Sequence, residues 1–438
     1  MQKGGFLPEI KSQKPKAGEI MTAVVSASEK EAKSERSFLE VWVITIGHSL
    51  THWYPSTFYV LLPLIGNELG LSFAQIGMIL TAQALAGAIS NIPGGIIVDS
   101  VARKGILMAA SLFWIGVPYF VMGYSNAYWV LLACSIMIGV GNNLWHPTAI
   151  PWLGRRFPDR KGLVMAYHGM GGNVGDALAP LAAGALLTAF AWMTWRDVVI
   201  INIVPGVVMA IAILWFLGKL TAEKPGASVK PEKQKTLGEV LKALPDLFRN
   251  KTLIFLSSSS AFRAITQGGI MAFLPLYLAK DLGYNPFWIG LSMFVLQAAG
   301  FVAAPIAGHL SDKVGRKNVI MWSMIMTAAV LAMMFFAGGT PLFVLFVAML
   351  GCFLFAIRPV LQAWLLDATP KDMGGSAIGV MFGIQSLGAA AGPLICGMIA
   401  DRWGLLMTFW FLAFTIIVAN MLVFFMPKED AKAKATAA

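Results

Sequence analysis

The chain has 438 residues, of which 57% are hydrophobic and 13% charged, with a mean hydropathy of +0.71. A soluble domain carries about 25% charged residues, so most of this surface must face something other than water. The net charge of +11 would suit nucleic acid, but the basic residues sit in short segments between long apolar runs and form no basic stripe, which excludes a nucleic-acid-binding domain.

The apolar runs are continuous rather than short and alternating, so membrane-spanning helices are expected and not a barrel. Residues 1–38 are polar and lysine-rich, carry no signal-peptide core, and read as a disordered cytoplasmic tail. Spans are expected near 39–65, 72–98, 104–123, 127–152, 162–190 and 197–218, an amino-terminal bundle over 39–218. A polar linker over 219–251 follows, in which residues 236–249 form an amphipathic stretch suited to the membrane surface. The second set falls near 252–279, 286–311, 317–337, 341–366, 374–399 and 404–426, a carboxy-terminal bundle over 252–426, and residues 427–438 are a second tail. The expected fold is thus an all-α polytopic membrane protein with twelve transmembrane helices in two six-helix repeats. Cys134, Cys352 and Cys396 lie apart inside apolar runs, offer neither a disulfide framework nor metal-ligand spacing, and read as small buried hydrophobes.

If both termini are cytoplasmic, the outer loops hold only Arg196, Lys280 and Arg402, Arg263 and Arg358 fall inside spans, and every other lysine and arginine is cytoplasmic. That asymmetry sets the expected orientation. The halves are repeats. Asp99 and Asp312, Gly162 and Gly375, and Pro180 and Pro393 are each 213 residues apart. Pro63 and Pro275, and the pairs His146-Pro147 and Arg358-Pro359, are 212 apart. A constant offset implies duplicated units of one topology, the parallel-repeat plan of carriers.

The loop between the second and third spans carries Gly95, Asp99, Arg103 and Lys104 in one half and Gly308, Asp312, Arg316 and Lys317 in the other. It resembles the signature of the major facilitator superfamily, with Ala102 where a glycine is usual, and the resemblance implies a loop that latches one conformation. The stretches Asn142–Ala149 and His168–Pro180 are similar to the fosmidomycin-resistance branch, whose fourth span carries His-Pro and whose fifth carries Gly-Gly-Asn-x-Gly. Trp145 and Asp176 depart from that pattern. The branch is functionally mixed, so the resemblance suggests efflux without fixing the substrate; a monomeric carrier of the bacterial inner membrane, without cofactor, is expected.

Ionisable residues inside a span cost about 2.5–3.5 kcal/mol on insertion scales and mark function by default. Spans one, four, seven and ten each carry a polar pair at i, i+4: His48 and His52, Asn142 and His146, Arg263 and Gln267, Arg358 and Gln362. The spacing puts each pair on one helix face, so four equivalent helices are expected to line one cavity. The arginines point to an anion, since a guanidinium stays charged and forks onto carboxylate or phosphate. The expected substrate site is Arg263, Arg358, Gln267, Gln362, Asn142, His48, His52 and Trp53. His146, Asp176 and His168 are the expected proton carriers. Gln83, Asn91, Asn173, Gln297 and Gln385 suit either the cavity or interhelical hydrogen bonds. The leading expectation is proton-coupled export of a small organic anion, phosphonate- or carboxylate-bearing, with membrane lipids as the other partner. Anion uptake, export of a metal or metal chelate by the histidines, and a non-transporting sensor are the alternatives. No resident metal and no enzymatic constellation is expected.

Overall fold

The computed structural model describes residues 17–101, 103–218, 249–337, 340, 342–369 and 374–426. The amphipathic stretch at 236–248 and the tail at 427–438 lie outside these. The helices are α1 (Ala17–Glu68), α2 (Phe73–Ser100), α3 (Lys104–Gly123), α4 (Tyr128–Asn143), α5 (Trp145–Arg156), α6 (Lys161–Ala189), α7 (Trp195–Ile201) and α8 (Ile203–Leu217) in the first half. The second half has α9 (Lys251–Lys280), α10 (Pro286–Val314), α11 (Arg316–Ala337), α12 (Leu342–Leu354), α13 (Arg358–Asp367), α14 (Gly374–Trp403) and α15 (Leu406–Phe424). α1 begins inside the segment expected to be tail. There is no strand among the described residues.

These helices make twelve crossings. Nine stretches of the described residues are long and apolar enough by composition alone. The other three crossings, α1, α6 and α9, hold His48, His52, His168, Asp176 and Arg263. Their polarity reflects their position, because the polar faces turn into the bundle.

Spans four and ten are each two helices end to end. The first breaks at Leu144 and the second at the turn 355–357. Proline supplies no N–H. Pro147 leaves the Asn143 carbonyl without its helical donor, and Pro359 does the same for Phe355, so each helix ends there and a new one starts. The two breaks are repeat-related, and they place His146 and Arg358 in the first turn of a half-helix.

Within a half, α1 packs on α6 and α9 on α14; between halves, α2 packs on α14 and α6 on α10. The inter-half seams depend on glycine. A Cβ at Gly77 would overlap the Pro393 carbonyl, and one at Gly290 the Pro180 carbonyl. Gly397 meets Phe73, and Gly184 meets Pro286, in the same way. Each seam is the 213-residue image of the other. Side chains cap across the join. Asp401 accepts from the backbone N–H of Phe73 (2.8 Å) and Ala74 (2.9 Å) at the start of α2. Its repeat counterpart Thr188 accepts from Phe287 N–H (3.0 Å) at the start of α10.

All these contacts lie at the end of the bundle opposite the basic loops. Toward the basic-loop end the halves part: the α14 face that closes on α2 continues with Gly383 and Gly379, and neither has an atom within 4 Å of where a Cβ would stand. The same is true of Gly169 on α6.

At the basic-loop end the signature loop of the second half is held by side-chain contacts. Arg316 pairs with Asp312 (3.2 Å) and Asp367 (2.5 Å), and Lys317 donates to the Phe424 carbonyl (2.8 Å). In the first half Arg103 is exposed and Lys104 half-buried, while Gly95 and Asp99 lie on α2 with the Asp99 side chain outside the described residues. Gly308 faces open space.

Candidate functional site

Four histidines meet at mid-bundle in the first half. The His48 imidazole is buried and central. Its Nδ1 lies 2.6 Å from the His168 carbonyl oxygen, which can only accept, so Nδ1 carries the proton and Nε2 is a lone pair. That Nε2 lies 3.0 Å from His146 Nε2. The His168 ring stacks on His48 with centroids 3.8 Å apart and planes 10° apart, and both of its nitrogens are buried without a partner. His52, one turn along α1, stands edge-on to His48 at 4.7 Å. Its Nδ1 donates to Asp176 Oδ2 (2.9 Å), and Ser56 Oγ donates to Asp176 Oδ1 (2.8 Å). Gly172 makes the room, since a Cβ there would press on both the His48 and His52 rings.

The facing half holds guanidinium and carboxamide groups. Arg263 is fully buried. Its Nη1 donates to Gln267 Oε1 (2.9 Å) and at 3.4 Å to the Leu354 carbonyl, while Nε and Nη2 have no partner. A buried cation without an anion costs several kcal/mol. Arg358 is exposed, its guanidinium 5.9 Å from the Phe382 ring centroid, and is near enough to Arg263 and Asp176 to feel both charges. Among the described residues no carboxylate comes within ion-pair distance of either arginine; Asp176 is committed to His52 and Ser56. Asp176 therefore makes no direct ion pair with either arginine.

Between the halves, just inside the seams, lies a cavity of about 270 Å³ bordered by Tyr59, Gln83, Asn142, Gln267 and Gln385. Gln385 Oε1 accepts from Ser260 Oγ (2.9 Å) and Gln267 Oε1 from Arg263, which leaves both amide NH₂ groups as available donors. Asn142 Oδ1 is buried and unpartnered.

The structure thus brings together His48, His52, His146, His168 and Asp176 as one cluster, and Gln267 and Asn142 at one cavity beside Arg263. Gln362 is half-buried one turn beyond Arg358. Trp53 stands apart from the expected site, its indole N–H donating to Asn202 Oδ1 (3.1 Å) between α7 and α8. Ser56, Gly172 and Tyr59 were missed by sequence reasoning. The i, i+4 rule pointed to polar faces only on α1, α4–α5, α9 and α13, and a serine, a glycine or a tyrosine on an apolar run carries no signal alone.

Two repeated six-helix bundles, joined at one end around a cavity bordered by amide side chains, make a secondary transporter and not an enzyme. The chain belongs to the Major Facilitator Superfamily, whose family model matches residues 42–303 and 256–438. It is 23% identical over 415 residues to the fosmidomycin resistance protein of Escherichia coli (strain K12), covering 93% of this chain and 98% of that one. It is 22% identical over 400 residues to the phosphoglycerate transporter protein of Salmonella typhimurium, covering 86% and 85%. Its fold matches a bacterial homolog of the human lysosomal transporter Spinster, solved in an inward-facing and unoccupied conformation, with a TM-score of 0.78 at 17% identity, covering 89% of this chain and 96% of that one.

Proposed function

We infer that the chain exports a small organic anion, carboxylate-, phosphate- or phosphonate-bearing, from the bacterial cytoplasm in exchange for protons. The observation that supports this reading best is Arg263: a fully buried guanidinium with two unpartnered nitrogens, beside a cavity, with no carboxylate of the described residues within ion-pair reach. Such a group calls for an anion from outside the chain. Arg358, exposed where the halves part, is placed to capture that anion first. The amide donors of Gln267 and Gln385 suit its remaining oxygens. The relative named for phosphoglycerate transport points the same way. With the basic loops cytoplasmic, as their charge requires, the cavity in this conformation opens to the cytoplasm, ready to load.

Proteoliposomes preloaded with organic phosphates, phosphonates and carboxylates test the reading. An inward proton gradient is expected to accelerate efflux of at least one class, and Arg358→Ala to abolish it while the protein still purifies folded. Normal transport by that variant sinks the anion site. Acceleration of uptake instead of efflux reverses the direction but keeps the site.

A further inference from the structure

The three cluster histidines that α1 and α5 supply share one geometric property that anion transport does not use. His48, His52 and His146 each offer a ring nitrogen, and these atoms lie within 4.8 Å of one another. In two of the three the opposite nitrogen is tied to a fixed acceptor. His48 Nδ1 donates to the His168 carbonyl, and His52 Nδ1 to Asp176, itself held by Ser56. Each tie fixes the tautomer with the proton on Nδ1 and the lone pair on Nε2, and sets the ring plane. That is how metal-ligating imidazoles are oriented, by a carbonyl or a carboxylate behind the ring. The third nitrogen, His146 Nε2, is already 3.0 Å from His48 Nε2.

We propose that His48, His52 and His146 form a three-imidazole site for a transition-metal dication of the kind imidazole prefers, with Asp176 and the His168 carbonyl as the groups that orient the ligands. Three nitrogens at about 2.0–2.1 Å from zinc leave the fourth tetrahedral position open. His52 and Asp176 keep 29% and 27% of their side chains exposed, so the open position faces the parting between the halves and not the apolar core. The ligand set is all nitrogen, with no thiolate, and suits zinc, cobalt, nickel or copper over magnesium or calcium. Glycine at 172 lets both α1 rings occupy these positions, since a Cβ there would press on each of them.

The chain has five histidines, and the fifth, His309, is exposed at the basic-loop end, which supplies an internal control. Tag-free protein in detergent is titrated with Zn²⁺ by calorimetry and with Co²⁺ by visible absorption. One metal per chain and the intense bands of tetrahedral cobalt are expected. His52→Gln and His146→Gln are expected to lose stoichiometric binding, Asp176→Asn to weaken it about 10- to 100-fold while leaving all three rings in place, and His309→Gln to change nothing. A wild-type protein that binds no metal at one equivalent overturns the proposal. So does binding that survives His52→Gln and His146→Gln, or that Asp176→Asn leaves untouched. Anion efflux is read separately, so the failure of either assignment leaves the other standing.

Discussion

The two halves share a topology and an offset but not a chemistry. At equivalent positions after the breaks in spans four and ten, one half carries His146 and the other Arg358. The first half spends its polar residues on each other, in a connected cluster of four imidazoles and one carboxylate. In the second, Arg263 keeps two nitrogens unpartnered, and among the described residues neither it nor Arg358 has a carboxylate at ion-pair distance. A duplicated scaffold can therefore assign different ligands to its two walls without altering the frame, because the seams that hold the frame are made of glycine and backbone and do not involve the walls.

The largest expected effect comes from attacking the shared frame. Gly77→Val or Gly290→Val puts a branched side chain on a facing carbonyl. Either is expected to bring transport below detection, with cysteine labelling at the normally closed end turning positive; an active, unlabelled variant would break the idea that the seams are common to the cycle. Next is the arginine wall. Arg358→Ala is expected to weaken anion binding about 10- to 100-fold, since a hydrogen bond to a charged group contributes about 1.5–3 kcal/mol. Arg263→Gln sharpens the contrast between walls. Removing an unpaired buried cation is expected to raise the thermal midpoint by a few degrees while lowering anion affinity, a trade of stability against function. A lower midpoint would show that Arg263 serves the fold.

Smaller again is the cap. Asp401→Asn leaves shape but removes charge from the start of α2, at a cost of about 0.3–1 kcal/mol. It is expected to shift the population toward the open seam by roughly two- to fivefold, whereas Thr188→Val at the counterpart removes only a neutral cap. The smallest effect is at the loop ends, where Glu68 and Asp281 are 213 residues apart. Arg196 holds the Glu68 carboxyl below the usual range, so its contribution is present above that range and is lost on acidification. Burial pushes the Asp281 carboxyl up, so its charged form opposes folding and the penalty grows as pH rises through the carboxylate range. Both are solvent-screened and worth less than about 1 kcal/mol. Thermal midpoints of Glu68→Gln and Asp281→Asn against pH are expected to move in opposite senses.

Much of this was legible in the sequence. Apolar length gave the spans, and the 212–213 offset gave the repeat. The i, i+4 pairs located most of the polar wall. What the sequence hid was convergence. Only His48 and His52 share a ligand spacing, i, i+4, and only the packing of α1 on α6, with α5 alongside, makes His146 and His168 their neighbours. The partner of Asp176 was hidden for the same reason: the carboxylate meets His52 and Ser56 on the helix it packs on. Trp53 shows the converse, a residue beside the site in sequence whose ring donor is used elsewhere.

The break in span ten carries one more implication. Arg358 is the first residue of a half-helix, so its positive charge sits at the positive pole of that helix's own dipole. A side chain placed there is repelled by its own helix dipole, and the anion of the proposed function would meet side chain and helix end together. An intact helix at this point would hold the same arginine in less tension and offer the anion one handle instead of two.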